Sequence, residues 1–448
     1  MNKNKLIFWI IWASIILWII LLIFQLKSNW YLWTISQARG VLKIWVIWEN
    51  VDWFSEVADD FKSDTLWYSK QNILIENFSN YADYSIALTS AIIWDQAPDI
   101  FVLNNNEKNS IFSNQVGWIS SSFINPSDFR KNYIGIFSDD LILSVWEWES
   151  REEFLSWLPV WYETLGIFYN RRYVKNSDLT SISTMNNFIA DVKEKRSNII
   201  PIWIWNWSYV YDAADIITQF FLYEWNIFSL YDLIWKEVKK ALISYILYWT
   251  NDWYNWLNIK STDLEQSWWN SIDLFAKWET YMVMWYPSMI NEIKERWFSK
   301  NFLMAAPFPK NNSWVDNILV NYNYFVINKR SNHIKLANMF LAYLSREKAS
   351  SKYLDSIPYS FPALISLEKE KLEKYIDEDY NIILNDFLNI DAELYSFDKW
   401  IKNLYDSNII SILDNELTYS LAFEKFRKLI LCKAKKISSL TDFTSTCE

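Results

Sequence analysis

The sequence predicts an α/β protein of two lobes, each built on a mostly parallel sheet flanked by helices, preceded by one N-terminal transmembrane helix. Three observations carry that expectation. From residue 41 onward, short apolar runs alternate with stretches of helical periodicity, the order that builds βαβ units. One such run, Ile100-Phe101-Val102-Leu103, is continuously apolar, as befits a strand covered on both faces. A chain of 448 residues also exceeds what one core usually organises.

The N-terminus comes first. Lys3 and Lys5 precede residues 6–24, which carry no charge. Nineteen helical residues span about 28 Å, close to the hydrocarbon thickness of a bilayer. The lysines hold the N-terminus inside and send the rest outside. A cleaved signal peptide is the alternative, although no small-x-small cleavage site is evident. No cysteine follows the run, so a lipid anchor is not expected. Residues 1–27 are thus read as membrane segment and 28–39 as linker.

Residues 41–48 form the first expected strand. The helix over 52–61 follows, with Phe54, Val57, Ala58 and Phe61 at helical spacing. Residues 72–77 are the next strand and 81–93 the next helix. A turn, Ala97-Pro98-Asp99, then starts the buried strand, and Asn104-Asn105-Asn106 stands at its carboxyl end. Open α/β sheets bind ligands at that end.

The composition holds an anomaly. Thirty tryptophans stand beside four glycines, where average usage of about 7% glycine would give roughly thirty. Trp94, Trp225, Trp249, Trp278 and Trp297 each follow a helix-like run, at the place where a left-handed glycine commonly ends a helix. Asn206 lies between Trp205 and Trp207 in a loop that reads naturally as Gly-Asn-Gly. Most of these tryptophans are therefore read as UGA codons that specify glycine. The alternative is a genuinely tryptophan-rich protein with many stacking platforms.

The remaining composition excludes several classes. Net charge is −10 with no basic block beyond the short N-terminus, which argues against nucleic acid. The single histidine, His333, makes a histidine metal site improbable, and neither metal nor cofactor is expected. Cys432 and Cys447 could pair outside the cytoplasm or remain thiols in a tail; spacing does not decide.

With glycine at 94, AIIWDQAPDIFVL resembles the "aiasGdaPDif" signature of extracellular solute-binding proteins of the maltose-binding type, the capture subunits of ABC importers. LPVWYETLGIFYN, over residues 158–170, is similar to the family's segment that crosses between lobes. Residues 185–192 match its "tWdEfi" helix. FAKWETYMVMWYPS, over 275–288, and FLMAAPFP, over 302–309, are similar to later family stretches. Residues 326–344 match its strand-and-helix signature, with Ala337, Phe340, Leu341 and Leu344 on one helix face. Pro362-Ala363 stands where the family has "lPa".

The resemblance implies a bilobal periplasmic-binding-protein-like fold of type II. Lobe I would comprise residues 40–155 with 307–360, and lobe II residues 156–306 with 361–436, followed by a tail at 437–448. It implies a binding protein on the outer face of the membrane, handing a polar solute, sugar or oligosaccharide, to ABC permease subunits. Candidate ligand residues are Glu49, Asn50, Tyr84, Asn104, Asn105, Asn106, Tyr162, Glu163, Asn206, Tyr286, Pro287, Ser288, Tyr322 and Asn323. Ring faces, amides and carboxylates are what a sugar cleft needs. Each also has a bland reading: an asparagine triplet is commonly a solvated turn, and Tyr84 suits a core. A sensory or scaffold protein of the same fold and a surface glycoside-processing enzyme are the rivals. Nothing singles out the carboxylate pair such an enzyme requires.

Overall fold

A computed structural model describes residues 41–47, 51–64, 72–107, 112, 115–147, 150–195, 200–203, 213–225, 271–296, 298–299, 301–309, 317–355, 357 and 359–372, with short pieces at 376–377, 382–383, 393–395 and within 421–432. The expected membrane segment, Trp249 and Trp297 lie outside them. Among the described residues no helix is long and apolar enough to cross a membrane.

The chain opens with strand β1 (Val41–Ile47), the helix Val51–Asp64, strand β2 (Asn72–Phe78), the helix Tyr81–Ile93 and strand β3 (Ile100–Asn104). Both β2 and β3 pair with β1 in parallel. The helix Val51–Asp64 buries Phe54, Val57, Ala58 and Phe61, the face its spacing marked. Asn80 caps the next helix by accepting the Asp83 N–H at 2.8 Å, satisfying one of the donors a helix start leaves open.

After the two-residue strand β4 (Val116–Gly117), a hairpin forms from β5 (Ile142–Glu147) and β6 (Ser150–Leu155). The chain then runs through β7 (Leu158–Pro159), β8 (Trp161–Thr164) and β9 (Gly166–Asn170). These three short strands belong to three different sheets. Strands β10 (Ile200–Trp203), β11 (Thr280–Trp285) and β12 (Leu303–Pro307) join β9 in the order β10-β11-β9-β12. The return path is β13 (Asn317–Asn321) and β14 (Asn323–Asn328). Strand β14 lies beside β3, completing the order β2-β1-β3-β14-β4, with β7 also on β14. Between the two large sheets, β8 pairs with β13 and with β15 (Phe361–Pro362), and Glu393–Tyr395 pairs with β13. Among the described residues two chain crossings, β7-β8-β9 and β12-β13-β14, join the halves of a mixed α/β bilobal fold.

The sheets are less parallel than the sequence predicts. Strand β14 runs antiparallel to β3, β4 and β7. In the second sheet β10–β11 is parallel, while β9 runs antiparallel to β11 and β12. The cause is connectivity. A strand that enters from the other lobe needs no crossover helix, and antiparallel pairing is then open to it.

The proline-aspartate turn has a structural task. Asp99, only 8% exposed, accepts the Lys43 N–H at 2.8 Å and the Ser331 hydroxyl, and lies 3.3 Å from His333 Nδ1. It ties the entry of β3 to β1 and to the loop after β14. His333 is half-buried and precedes the helix Ile334–Leu344, whose Ala337, Phe340, Leu341 and Leu344 are fully buried. Each large apolar side chain of that face contributes about 1.5–3 kcal/mol of transfer free energy.

The helix ends correct one expectation and sharpen another. Trp94 is not the left-handed residue: its φ is −89°, and Asp95 takes φ +57° instead. The bonds Gln96 N–H to Ala91 and Asp95 N–H to Ile92 place the turn one residue later than the sequence pattern suggested. Trp278 does occupy the left-handed position, at φ +66°. Its N–H donates to the Phe275 carbonyl and that of Glu279 to Leu274, the two bonds that close a Schellman turn. Trp225 is the last residue of the helix Ala213–Trp225.

Candidate functional site

The candidate site is a polar band on the crossing strands. Strands β8 and β13 are antiparallel, and Asn321 lies opposite Glu163. Directly opposed residues project from the same face. One step along, Asn323 lies opposite Asn104 at the carboxyl end of β3. Tyr322 falls between the two asparagines, so alternation sends its ring to the other side. That ring meets Phe137 at 5.0 Å between centroids, and its hydroxyl donates to Asp140 at 2.6 Å. Tyr162, next to Glu163, packs on Phe137 and Phe361. The crossing is thus amphipathic: amides and a carboxylate on one face, tyrosines on the other.

The polar face is cross-linked. Asn104 Nδ2 donates to Asn321 Oδ1 at 2.7 Å and to Asn323 Oδ1 at 3.0 Å. Glu163, 2% exposed, accepts the hydroxyls of Ser288 at 3.0 Å and Ser360 at 3.3 Å. Ser288 lies in the short helical turn Pro287–Met289 that follows β11; Ser360 immediately precedes β15. Ser288 therefore belongs to the second lobe's side of the band and Asn104 to the first lobe's sheet. A buried carboxylate is costly unless hydrogen-bonded, and these hydroxyls supply part of what Glu163 requires.

The remaining candidates divide. Tyr286 is buried, and its hydroxyl donates to Asp215 at 2.8 Å, joining the end of β11 to the helix Ala213–Trp225. Pro287 is buried and starts the turn that carries Ser288. Asn105 is buried and faces backbone: its Nδ2 donates to the Val320 carbonyl at 2.9 Å, and its own N–H to that of Tyr322. Tyr84 sits apart from the band, in the first lobe's core. Its hydroxyl donates to the Val102 carbonyl at 2.6 Å and accepts the Val102 N–H at 3.0 Å. Burial drives its pKa far above the ordinary tyrosine value, with the Val102 bond opposing. Tyr162 is likewise raised by burial, and further by Glu368. Glu49, Asn50, Asn206 and the side chain of Asn106 lie outside what is described.

Sequence reading missed Asn321, Ser360, Asp215 and Asp140. The alternation Asn321-Tyr322-Asn323 was the available signal for Asn321, since it puts both asparagines on one face. The others become visible only through contacts distant in sequence. Among the described residues the band holds amides, hydroxyls and a carboxylate, groups able to hydrogen-bond a polar solute.

The family model described as bacterial extracellular solute-binding protein matches residues 56–377. No curated protein sequence matches the chain. Among solved structures, the sugar-binding protein MalE from Xanthomonas citri is similar at TM-score 0.66 and 16% identity, over 90% of this chain and 100% of that one. An ABC substrate-binding protein from Listeria monocytogenes in complex with cycloalternan is similar at TM-score 0.64 and 13% identity, over 89% and 99%. The Listeria monocytogenes maltose-binding MalE, in complex with maltose, gives TM-score 0.64 and 13% identity, over 90% and 99%.

Proposed function

Because the chain belongs to the bacterial extracellular solute-binding protein family, we propose that it captures a neutral saccharide between its two lobes and delivers it to an ABC permease. The observation that carries this reading is the polar band from Ser288 through Glu163 and Asn321 to Asn104 and Asn323. It runs along the strands that pass from one lobe to the other, so one solute can touch both. A ligand that makes contacts only in the closed arrangement shifts the population toward it. The relatives named for sugar, maltose and cycloalternan support a saccharide.

Glu163, Asn104, Asn323 and Ser288 are the ligand-facing residues in this reading, with Tyr286 beside them. Glu49, Asn50, Asn106 and Asn206 keep the same proposed role. Tyr162, Pro287, Tyr322 and Asn105 shape the site from behind. The lobe boundaries are those proposed from sequence. The uncharged residues 6–24 would tether the protein to the outer face of the membrane, where the permease lies. The protein would bind without catalysing turnover. Most tryptophans would be glycines in the native protein, a reading supported by the left-handed Trp278.

A thermal-shift screen of the full chain against saccharides, amino acids, peptides and polyamines tests the function. A ligand that binds only the folded state raises the melting temperature. Stabilisation confined to saccharides, without hydrolysis of them, is the expected result. Stabilisation by a peptide or polyamine alone, or saccharide turnover, would contradict it.

A further inference from the structure

We infer that the side-chain amides of Asn321 and Asn323 act as a paired hydrogen-bond donor for two oxygens of one neutral saccharide, with Asn104 setting their orientation. The inference rests on the saccharide-binding reading and extends it to the residues that select the ligand.

The geometry is specific. Asn104 Nδ2 carries two hydrogens, and they go to Asn321 Oδ1 at 2.7 Å and Asn323 Oδ1 at 3.0 Å. Both partner amides are therefore held with oxygen toward Asn104 and NH2 group away from it. Neither NH2 group donates a hydrogen bond among the described residues. An amide donor left without a partner once water is excluded is penalised, so a solute entering here is favoured if it carries acceptors. Asn321 and Asn323 both reach the same Asn104 amide, so their side chains project from one face and stand close together. A sugar offers several neighbouring hydroxyl oxygens to such a pair.

Charge decides the ligand class. Glu163 stands opposite Asn321 in the ladder, and its buried carboxylate disfavours a second negative charge nearby. Neutral amide donors beside a carboxylate suit hydroxyls rather than phosphates or carboxylates. Asn104 touches the solute only through the two amides it positions, in this arrangement.

The test is calorimetric titration of the full chain with maltose, maltotriose and cycloalternan, with glucose 6-phosphate as the anionic probe. Two variants at Asn321 separate the donor from its side effects. Asn321→Asp keeps an acceptor for Asn104 but adds charge beside Glu163. Asn321→Leu adds no charge but loses the Asn104 bond. Loss of the outward NH2 group is common to both. Each is expected to weaken binding of the saccharide that wild type prefers at least tenfold, as is Asn323→Asp, while glucose 6-phosphate binds none of the proteins. Wild-type affinity in the Asn321 variants would overturn the paired donor and leave saccharide capture standing. Failure of the wild type to bind any of the three saccharides would overturn both.

Discussion

Asn321 and Glu163 face each other across the antiparallel pairing of β8 and β13, where both strands pass between the lobes. One is joined by Asn104 to the first sheet. The other is joined by Ser288 to the end of β11 in the second. The short ladder thus links a residue of the first sheet to one that follows the second.

Removing Glu163 should therefore affect both folding and binding. Glu163→Ala strips the Ser288 and Ser360 hydroxyls of their acceptor. Hydrogen bonds to charged groups contribute about 1.5–3 kcal/mol each. Urea unfolding should show a loss of roughly 3–6 kcal/mol for the two bonds together, with Ser360→Ala, which removes one of them, costing about 1.5–3 kcal/mol. If both substitutions leave the unfolding midpoint in place, the buried carboxylate does not join these elements.

Tyr84 should behave as core. Its hydroxyl makes two bonds to Val102 in β3, and it is 1% exposed. Tyr84→Phe should cost about 1–2 kcal/mol by losing them, while saccharide affinity stays at the wild-type value. A large loss of affinity with unchanged stability would return Tyr84 to the ligand site.

Alkaline pH should unfold the protein by a defined route. Tyr84, Tyr133 and Tyr162 are buried, and burial raises the pKa of each above the ordinary value. In the unfolded chain a tyrosine ionises near pH 10. The folded pKa values are the higher ones, so the stability these residues contribute is complete below about pH 10 and falls as pH rises past it. Urea midpoints measured from pH 8 to 11 should be level at first and then decline. Tyr133→Phe should make the decline shallower.

Trp278 tests the reading of tryptophan as disguised glycine. A β-carbon in the left-handed region costs about 1–2 kcal/mol, and Trp278 has φ +66°. Its indole also packs near Phe302 at 5.1 Å and under the Arg172 guanidinium at 5.6 Å. Comparing Trp278→Gly with Trp278→Ala removes that packing from both sides of the difference. The glycine variant should be the more stable by about 1 kcal/mol. Equal stability would mean that the backbone there carries no strain. Peptide mass spectrometry of the protein from its own cells reads the residue directly.

Much of the first lobe was legible in sequence because its signals are local. Phe54, Val57, Ala58 and Phe61 announce a buried helix face, and Ile100 to Leu103 a strand buried on both sides. The direction of β14 was not legible, since residues 323–328 read the same whether the strand runs parallel or antiparallel. Its pairing with β3 depends on a return path through the other lobe. Trp94 misled by one residue because the helix pattern does not distinguish the last helical residue from the left-handed one after it. The site was half legible. The Asn104 region stood out at a strand's carboxyl end and Glu163 beside the segment that crosses between lobes, whereas Ser360 joins Glu163 across 197 positions, and no local pattern encodes such a partner.

The most direct measurement is the radius of gyration of the full chain by small-angle scattering, with and without a saturating saccharide found by thermal shift. Closure of two lobes around the polar band should reduce it, and Asn321→Asp at the same saccharide concentration should show a smaller reduction. A saccharide that binds tightly and leaves the dimension unchanged would contradict capture between the lobes.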